Sequence, residues 1–256
     1  MTISKNYISF KKNQINMNWF EHWFNSPYYH ILYKDRNEKE AQIFIDNLIS
    51  YLQIPKKSNI LDIACGKGRH SKYFNQKGMH VTGIDLSSNS IEIAKKEENS
   101  TLNFYIHDMR QIFKKNFFDI ATNLFTSIGY FEKTEDEQKA VNAMASNLKK
   151  EGILIIDFMN VKKVIEKLVS FERKKVDNIT FNIRKDIINN FILKDISFSD
   201  NKKSYQFQEK VKVLTLTDFS NLITNAGLKI IDIFGNYNLE HFNALKSERL
   251  ILVCQK

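Results

Sequence analysis

The sequence is poor in the residues that mark fibrous, disulfide-linked and membrane-spanning proteins. Its 256 residues include only 8 glycines, 2 prolines and 2 cysteines. So little glycine and proline excludes a collagen-like chain and a proline-rich disordered tract. The sequence also lacks a run of about 18 apolar residues, the length that a membrane-spanning helix needs. We therefore expect no membrane association.

The cysteines and histidines show no spacing that is typical of a metal site. Cys65 and Cys254 lie far apart, which favours free thiols in a reducing compartment. The first residues, MTISKNYISFKKNQ, lack the continuous apolar segment of a secretion signal. We expect a cytoplasmic protein without a bound metal.

The charge balance is basic, with 38 Lys and Arg against 29 Asp and Glu, a net charge of +9. Lysines are scattered along the chain rather than gathered in one stripe, which favours a diffuse solvating surface. Nucleic acid is therefore not the expected partner. With 43% hydrophobic residues the chain can bury one full core, so we expect one domain with insertions.

Short apolar runs alternate with amphipathic stretches from residue 59 onward. Seven of these runs are typical of buried strands: 59–64, 79–84, 102–106, 117–122, 153–157, 228–234 and 249–253. Helical patterns lie between them at 69–77, 88–97, 135–149 and 217–226. The alternation predicts an α/β, Rossmann-like fold, in which a seven-stranded, mostly parallel sheet carries helices on both faces.

Two segments depart from this rhythm. Residues 1–52 predict an aromatic-rich helical cap on the main domain, which spans 53–160 and 215–256. Residues 161–214 contain three runs with two-residue alternation: 180–184, 191–198 and 205–214. These runs predict an antiparallel β insertion that covers a substrate or pairs with a second copy of the chain, so a homodimer is open.

The most informative stretch is 60–71, ILDIACGKGRHS, an apolar strand that leads through a Gly-x-Gly turn into a helix. Gly66 and Gly68 would let the backbone pass close to a ligand, because glycine has no Cβ. A dinucleotide fingerprint requires Gly or Ala three residues after the second glycine, where this chain has Ser71. The chain also lacks a Gly-Lys-Ser/Thr phosphate loop. Dinucleotide-dependent oxidoreductases and nucleotide triphosphatases are therefore disfavoured.

Acidic residues end the next two predicted strands. Asp85 follows Gly66 by 19 positions, where its carboxylate can accept hydrogen bonds from both hydroxyls of an adenosine ribose. Asp108 ends the third strand, where it can accept from an adenine amino group beside Met109. The two acids and the glycine turn together predict a site for an adenosine group.

These motifs resemble the first three motifs of class I methyltransferases that use S-adenosylmethionine: Asp62-Ile-Ala-Cys-Gly-Lys-Gly68, Gly83-Ile-Asp85-Leu-Ser87 and His107-Asp108-Met109. The resemblance extends over most of the chain. It implies S-adenosylmethionine as cofactor, S-adenosylhomocysteine as product, and a carboxylate of the cofactor paired with Arg36. The cofactor contacts that it implies are Tyr28, Tyr33, Arg36, Ala64, Cys65, Gly66, Asp85, Leu86, Asp108, Met109, Leu124 and Phe125.

The loop after the fourth strand, Asn123-Leu-Phe-Thr-Ser-Ile-Gly-Tyr130, should face the transferable methyl group. It lacks the Asn/Asp-Pro-Pro-aromatic element of enzymes that methylate nucleobase or protein amide nitrogens. It resembles the Ser-Ser-Ile-Gly-His element of sugar-amine N-methyltransferases, but Tyr130 replaces the histidine. Catalytic residues therefore stay unassigned, with Tyr130, Ser127 and His70 as candidates if a general base is used.

The resemblance implies in-line methyl transfer to a nitrogen or oxygen nucleophile of a small molecule. Two alternatives remain open. An RNA methyltransferase would share the cofactor site and bind RNA in a salt-sensitive manner. A non-catalytic module of the same fold would bind the nucleoside without turnover.

Overall fold

The computed structural model describes residues 19–34 and 38–256. The strands in these ranges are β1 (Asn59–Ile63), β2 (His80–Asp85), β3 (Leu102–Ile106), β4 (Phe118–Asn123), β5 (Leu148–Met159), β6 (Phe171–Val176), β7 (Ile179–Ile188), β8 (Phe191–Asp200), β9 (Lys203–Lys212), β10 (Lys229–Phe234) and β11 (Arg249–Gln255). The α-helices there are α1 (Trp19–Phe24), α2 (Pro27–Leu32), α3 (Glu38–Leu52), α4 (Arg69–Gln76), α5 (Ser88–Ala94), α6 (Thr134–Asn147), α7 (Val161–Glu166) and α8 (Leu216–Asn225).

Seven strands form one sheet in the order β10-β11-β5-β4-β1-β2-β3. Strands β1 to β5 pair in parallel, whereas β11 runs antiparallel to both β5 and β10. The central strands are apolar throughout because helices cover both faces, and Ile60 and Leu61 of β1 are fully buried. The predicted α/β, Rossmann-like fold with a seven-stranded, mostly parallel sheet is confirmed.

Two hydrophobic cores lie on the two faces of this sheet. One contains Val141 of α6 and Phe219 of α8, and the other contains Phe44 of α3 and Phe74 of α4. The predicted helix 135–149 extends two residues too far, since Leu148 already pairs with Phe118 as part of β5. Because the helices pack on both faces of the sheet, they hold in place the strand ends where a ligand would bind.

The other four strands form an antiparallel sheet in the order β6-β7-β8-β9. The sequence predicted only three of them. The missed strand, β6, has the sequence FERKKV. Its four consecutive charged residues leave no alternation of apolar and polar residues from which a strand could be predicted. It is ordered by pairing along its whole length with β7 and by the burial of Val176.

The N-terminal helices α1 and α2 pack on the inner face of this smaller sheet. Trp23 and Leu32 are buried together with Phe181 and Phe198. The Trp23 indole also donates a 2.8 Å hydrogen bond to Glu209 of β9. The N-terminal helices and the antiparallel sheet therefore share one core.

Candidate active site

A cavity of about 450 Å³ opens at the carboxyl ends of the parallel strands. The ends of β1 to β4 contribute residues that the sequence predicted as cofactor contacts: Ala64, Cys65, Gly66, Asp85, Leu86, Asp108, Met109, Leu124 and Phe125. Ligands of open α/β sheets bind at this edge. The volume is in the range of sites for small molecules, about 300–1,000 Å³.

The two glycines of the turn after β1 serve different purposes. Both have positive φ, 56° at Gly66 and 78° at Gly68. A Cβ on Gly66 would meet no atom within 4 Å, so this glycine keeps the cavity open. A Cβ on Gly68 would lie 2.5 Å from the Phe104 ring, so Gly68 makes room for a buried side chain. The expectation that Gly68 admits a ligand is therefore wrong.

Asp85 connects the glycine turn to the end of β2. Its Oδ2 accepts from the Gly66 N–H and its Oδ1 from the Ser87 N–H, each at 2.8 Å. Burial raises the pKa of Asp85, while the backbone donors of Ser87, Gly66 and Leu86 oppose that rise. Each carboxylate oxygen offers a second lone pair. The carboxylate that fixes the turn can therefore also accept from ribose hydroxyls.

Asp108 is held by Arg110, which the sequence analysis missed. Arg110 Nη2 donates to Asp108 Oδ2 at 2.6 Å, and Arg110 Nε donates to Asp108 Oδ1 at 3.1 Å. Burial alone would raise the pKa of Asp108, but the bonds from Arg110 hold it below its usual range. A second ion pair at 3.2 Å joins Arg110 to Asp136. The Asp108 carboxylate is therefore held in one orientation at the cavity.

Asp62 lies in β1, just before the glycine turn. It is 1% exposed. Its carboxylate accepts from the Ser71 hydroxyl at 2.5 Å and the Thr122 hydroxyl at 3.2 Å. Burial raises the pKa of Asp62 to about 6, against the lowering effect of these bonds. Asp62 thus ties α4 and β4 to β1 through the Ser71 and Thr122 hydroxyls.

The three candidate catalytic side chains, His70, Ser127 and Tyr130, all line the cavity. The Tyr130 hydroxyl donates to the Thr126 carbonyl, and the Ser127 hydroxyl donates to the Leu124 carbonyl at 3.1 Å. Arg69 Nη2 lies 3.3 Å from His70 Nε2. Because arginine can only donate, that ring nitrogen is the acceptor. All three polar groups therefore have partners within the protein.

One predicted cofactor contact, Tyr28, does not line the cavity. Tyr28 lies outside the cavity, where its hydroxyl donates to Asp200 at 2.9 Å and its ring packs on Phe198. Tyr33 does line the cavity, and so does Tyr29, which the sequence analysis missed. Tyr29 and Tyr33 are four residues apart and share one helix face, whereas Tyr28 is about 140° from Tyr33 around a helix.

The predicted partner of the cofactor carboxylate, Arg36, lies outside the described residues. Two other cations, Lys67 and Arg69, line the cavity at the glycine turn. Burial lowers the pKa of Lys67. The Arg69 guanidinium lies 5.4 Å from the Phe125 ring centroid. The turn therefore adds positive charge that the sequence analysis did not assign.

Six aromatic rings line one side of the cavity and form what we call the aromatic wall: Phe20, Phe24, Tyr29, Tyr33, Tyr130 and Phe131. Neighbouring ring centroids are 4.8–6.5 Å apart. Four of the rings come from the N-terminal helices. The abundance of aromatic residues in that segment was visible in the sequence, but the helix faces that reach the cavity were not.

The described residues contain no helix that is both long and apolar enough to cross a membrane. Within the same part of the chain, no three His, Cys, Asp or Glu side chains lie close enough together to bind a metal ion. Cys65 and Cys254 are both buried and free.

Residues 60–152 match the sequence profile of a family described as a methyltransferase domain. A protein of Bacillus subtilis (strain 168) that is classed with the methyltransferases is 27% identical over 79% of this chain and 86% of its own length. A dTDP-3-amino-3,4,6-trideoxy-alpha-D-glucopyranose N,N-dimethyltransferase of Streptomyces venezuelae is 31% identical over 40% of this chain and 43% of its own length. This chain thus matches less than half of that relative.

Solved structures show the same fold. An S-adenosylmethionine-dependent methyltransferase from Clostridium acetobutylicum superimposes with a TM-score of 0.75 at 20% identity, covering 89% of this chain and 95% of the other. An amino pentose methyltransferase from Micromonospora echinaspora, solved with S-adenosylmethionine bound, gives a TM-score of 0.65 at 19% identity, covering 90% and 97%.

The fold is Rossmann-like, and two acids, Asp85 and Asp108, lie at the ends of neighbouring strands beside the cavity. The matched domain and its relatives specify the class further. The chain carries a methyltransferase domain over residues 60–152 and is an S-adenosylmethionine-dependent methyltransferase, as its motifs predicted. The relative from Streptomyces venezuelae is named for an amino-sugar substrate, which agrees with the expected small-molecule enzyme.

Proposed function

We propose that this methyltransferase modifies an amine nitrogen of a small polar molecule, with an amino sugar as the favoured acceptor. The aromatic wall is the observation that carries the proposal. Aromatic faces attract cations, and both a protonated amine and a sulfonium are cations. The amino-sugar N,N-dimethyltransferase relative supports the same acceptor class.

The cavity fits the cofactor on its own geometry. Gly66 faces open space, and Asp85 and Asp108 present carboxylates at adjacent strand ends. Asp85 would hold the ribose, Asp108 the adenine, and the cations Lys67 and Arg69 the methionine carboxylate. S-adenosylmethionine, when bound, supplies a methyl group that its sulfonium charge has already activated.

The protein's main contribution to the reaction is then alignment. The aromatic wall would place the amine in line with the methyl group and keep water away from it. The amine must lose its proton before it can attack. Since the hydroxyls of Tyr130 and Ser127 donate to carbonyls of their own loop, we propose that neither acts as the base.

A methyl-transfer assay tests this proposal. The full chain is incubated with S-adenosylmethionine and, in separate reactions, with RNA or with matched pairs of sugars that carry either an amino or a hydroxyl group at the same carbon. Mass spectrometry should show methyl groups only on the amino sugars. Methylation of the hydroxyl partners alone would contradict the amine acceptor, and methylation of RNA alone would contradict the small-molecule acceptor.

We also propose a cytoplasmic location and a homodimer. The two free thiols, Cys65 and Cys254, support a reducing compartment. Strand β6 forms an edge of the four-stranded sheet, and edge strands pair readily with a second chain. Light scattering should give twice the chain mass of 30.1 kDa, and a monomer mass would contradict the dimer.

A further inference from the structure

Two consecutive residues at the cavity have strained backbones. Phe125 and Thr126 both adopt the left-handed conformation, with φ of 65° and 61°. This conformation is unfavourable for residues with a Cβ, and a β-branched threonine is a clear outlier there. Such strain persists only where surrounding groups impose it. Both residues begin the loop that carries Ser127 and Tyr130 into the cavity.

One buried residue of β5 binds both strained amides. The Asp157 carboxylate accepts from the Phe125 N–H at 2.9 Å through Oδ2. The Asp157 backbone carbonyl accepts from the Thr126 N–H at 3.0 Å. Asp157 itself is buried, so these bonds form away from competing water.

Arg249, at the start of β11, contacts both Asp157 and the strained pair. Its Nε donates to Asp157 Oδ1 at 2.8 Å, and its Nη2 donates to Thr126 Oγ1 at 3.0 Å. Its guanidinium also lies 5.7 Å from the Phe125 ring centroid. The forked geometry of arginine makes the two simultaneous hydrogen bonds, which a lysine could not reproduce.

Tyr237 completes the group from the segment between β10 and β11. Its hydroxyl donates to Asp157 Oδ2 at 3.0 Å. Burial and the neighbouring Asp157 charge raise the pKa of Tyr237, so the hydroxyl keeps its proton and remains a donor. Asp157 thus receives hydrogen bonds from the loop, from Arg249 and from Tyr237.

We propose that Asp157, Arg249 and Tyr237 are positioning residues for methyl transfer. We call them the Asp157 clamp. The clamp holds Phe125 and Thr126 in the left-handed conformation, so that the loop after β4 presses against the cofactor end of the cavity. The inference rests on the proposed cofactor site, because Phe125 borders that part of the cavity.

The substitution Thr126→Gly separates this role from a role in folding. Glycine adopts positive φ without strain, so the variant should fold with an unchanged or higher melting temperature. It loses the Arg249 contact and frees the loop, so calorimetry should show S-adenosylhomocysteine binding weakened at least fivefold. Lys57→Gly is the matched control. Lys57 is exposed, has φ of 66° and lies outside the cavity, so this variant should bind like the wild type.

A second variant pair tests the arginine. Arg249→Ala should bind S-adenosylhomocysteine at least tenfold more weakly, and added guanidinium chloride at low millimolar concentration should restore part of the affinity. Arg249→Lys should remain weak, because it keeps the charge but loses the fork. If Thr126→Gly and Arg249→Lys both bind as tightly as the wild type, the positioning role is overturned while the cofactor site stands. If the wild type itself does not bind S-adenosylhomocysteine, both are overturned.

Discussion

At the scale of single residues, hydrogen-bond partners decide which side chains can exchange protons with a substrate. The Tyr130 hydroxyl donates to the Thr126 carbonyl, while its ring belongs to the aromatic wall. Tyr130→Phe should therefore keep kcat for an amine acceptor within about threefold, far from the ~10²–10⁴-fold loss expected on removing a general base. Tyr130→Ala, which removes the ring, should raise KM. A hundredfold fall in kcat for Tyr130→Phe would show that the hydroxyl takes part in proton transfer.

A second residue-scale prediction concerns the pH dependence of stability. Burial raises the pKa of Asp62 to about 6 from an ordinary value of 3.8. Between these two pH values the folded state therefore binds more protons than the unfolded state. The contribution of Asp62 to the free energy of unfolding is full below pH 3.8 and is lost as the pH rises through 6. Compared with Asp62→Asn, the wild type should lose about 3 kcal/mol of unfolding free energy between about pH 2 and about pH 8.

Urea unfolding of both proteins at several pH values measures this difference. Other titrating groups largely cancel between the two proteins, because they are the same in each. If the difference in unfolding free energy between the wild type and Asp62→Asn stays constant with pH, Asp62 titrates near its ordinary pKa despite its burial.

Most of the predicted cofactor contacts that line the cavity lie at strand ends. Asp85 and Asp108 line the cavity because the carboxyl ends of parallel strands meet at one edge of the sheet, wherever the helices lie. Tyr28 does not line the cavity, because the direction of its side chain depends on where a short helix begins. Pro27 starts α2, and Ser26 caps it, which rotates Tyr29 and Tyr33 toward the cavity. Spacing alone did not locate that helix start.

At the scale of elements, the turn between β1 and α4 depends on close packing as well as on backbone freedom. Gly68 has φ of 78°, and its missing Cβ leaves space for the Phe104 ring. Gly227 has a similar φ of 73° but has open space beside it. Gly227→Ala should cost about 1–2 kcal/mol for the backbone alone. Gly68→Ala should cost about 1–3 kcal/mol more, because a methyl group overpacks the site.

Denaturant unfolding of the two variants checks this pair. Equal losses for Gly68→Ala and Gly227→Ala would show that the Phe104 ring moves aside without cost. A larger loss at Gly68 would confirm that the turn is fixed by the ring behind it.

The elements that the sequence predicted best are the buried parallel strands. Their continuous apolar runs follow directly from burial on both faces. Strand β6 was missed because its partner strand, rather than its own composition, stabilises it. The Asp157 clamp was missed for a related reason. Its members come from β5, β11 and the segment before β11, and only the antiparallel pairing of β11 with β5 brings them together.

At the scale of the whole molecule, a buried ion pair joins the antiparallel sheet to the main domain. Lys212 of β9 donates to Glu137 of α6 at 2.7 Å, and the two side chains are 7% and 0% exposed. Burial raises the pKa of Glu137, and the Lys212 charge opposes that rise. Lys212→Met should destabilise the protein by about 3–5 kcal/mol, because it leaves a buried carboxylate without its partner.

The double variant Lys212→Met with Glu137→Leu serves as the control. Removing both charges should recover most of the lost stability, since the unpaired carboxylate is the source of the penalty. If Lys212→Met alone costs less than about 1 kcal/mol in urea unfolding, the pair does not hold the two sheets together.

Cofactor binding tests the whole account most directly, through calorimetry of S-adenosylhomocysteine with the wild type, Asp85→Ala and Asp119→Ala. Asp119 is the second residue of β4 and pairs with Lys149, outside the residues that line the cavity. We predict that the wild type and Asp119→Ala bind equally well and that Asp85→Ala binds more weakly by about 1.5–3 kcal/mol. Equal affinity of Asp85→Ala and the wild type, or no binding to either, would contradict the nucleoside site on which the account depends.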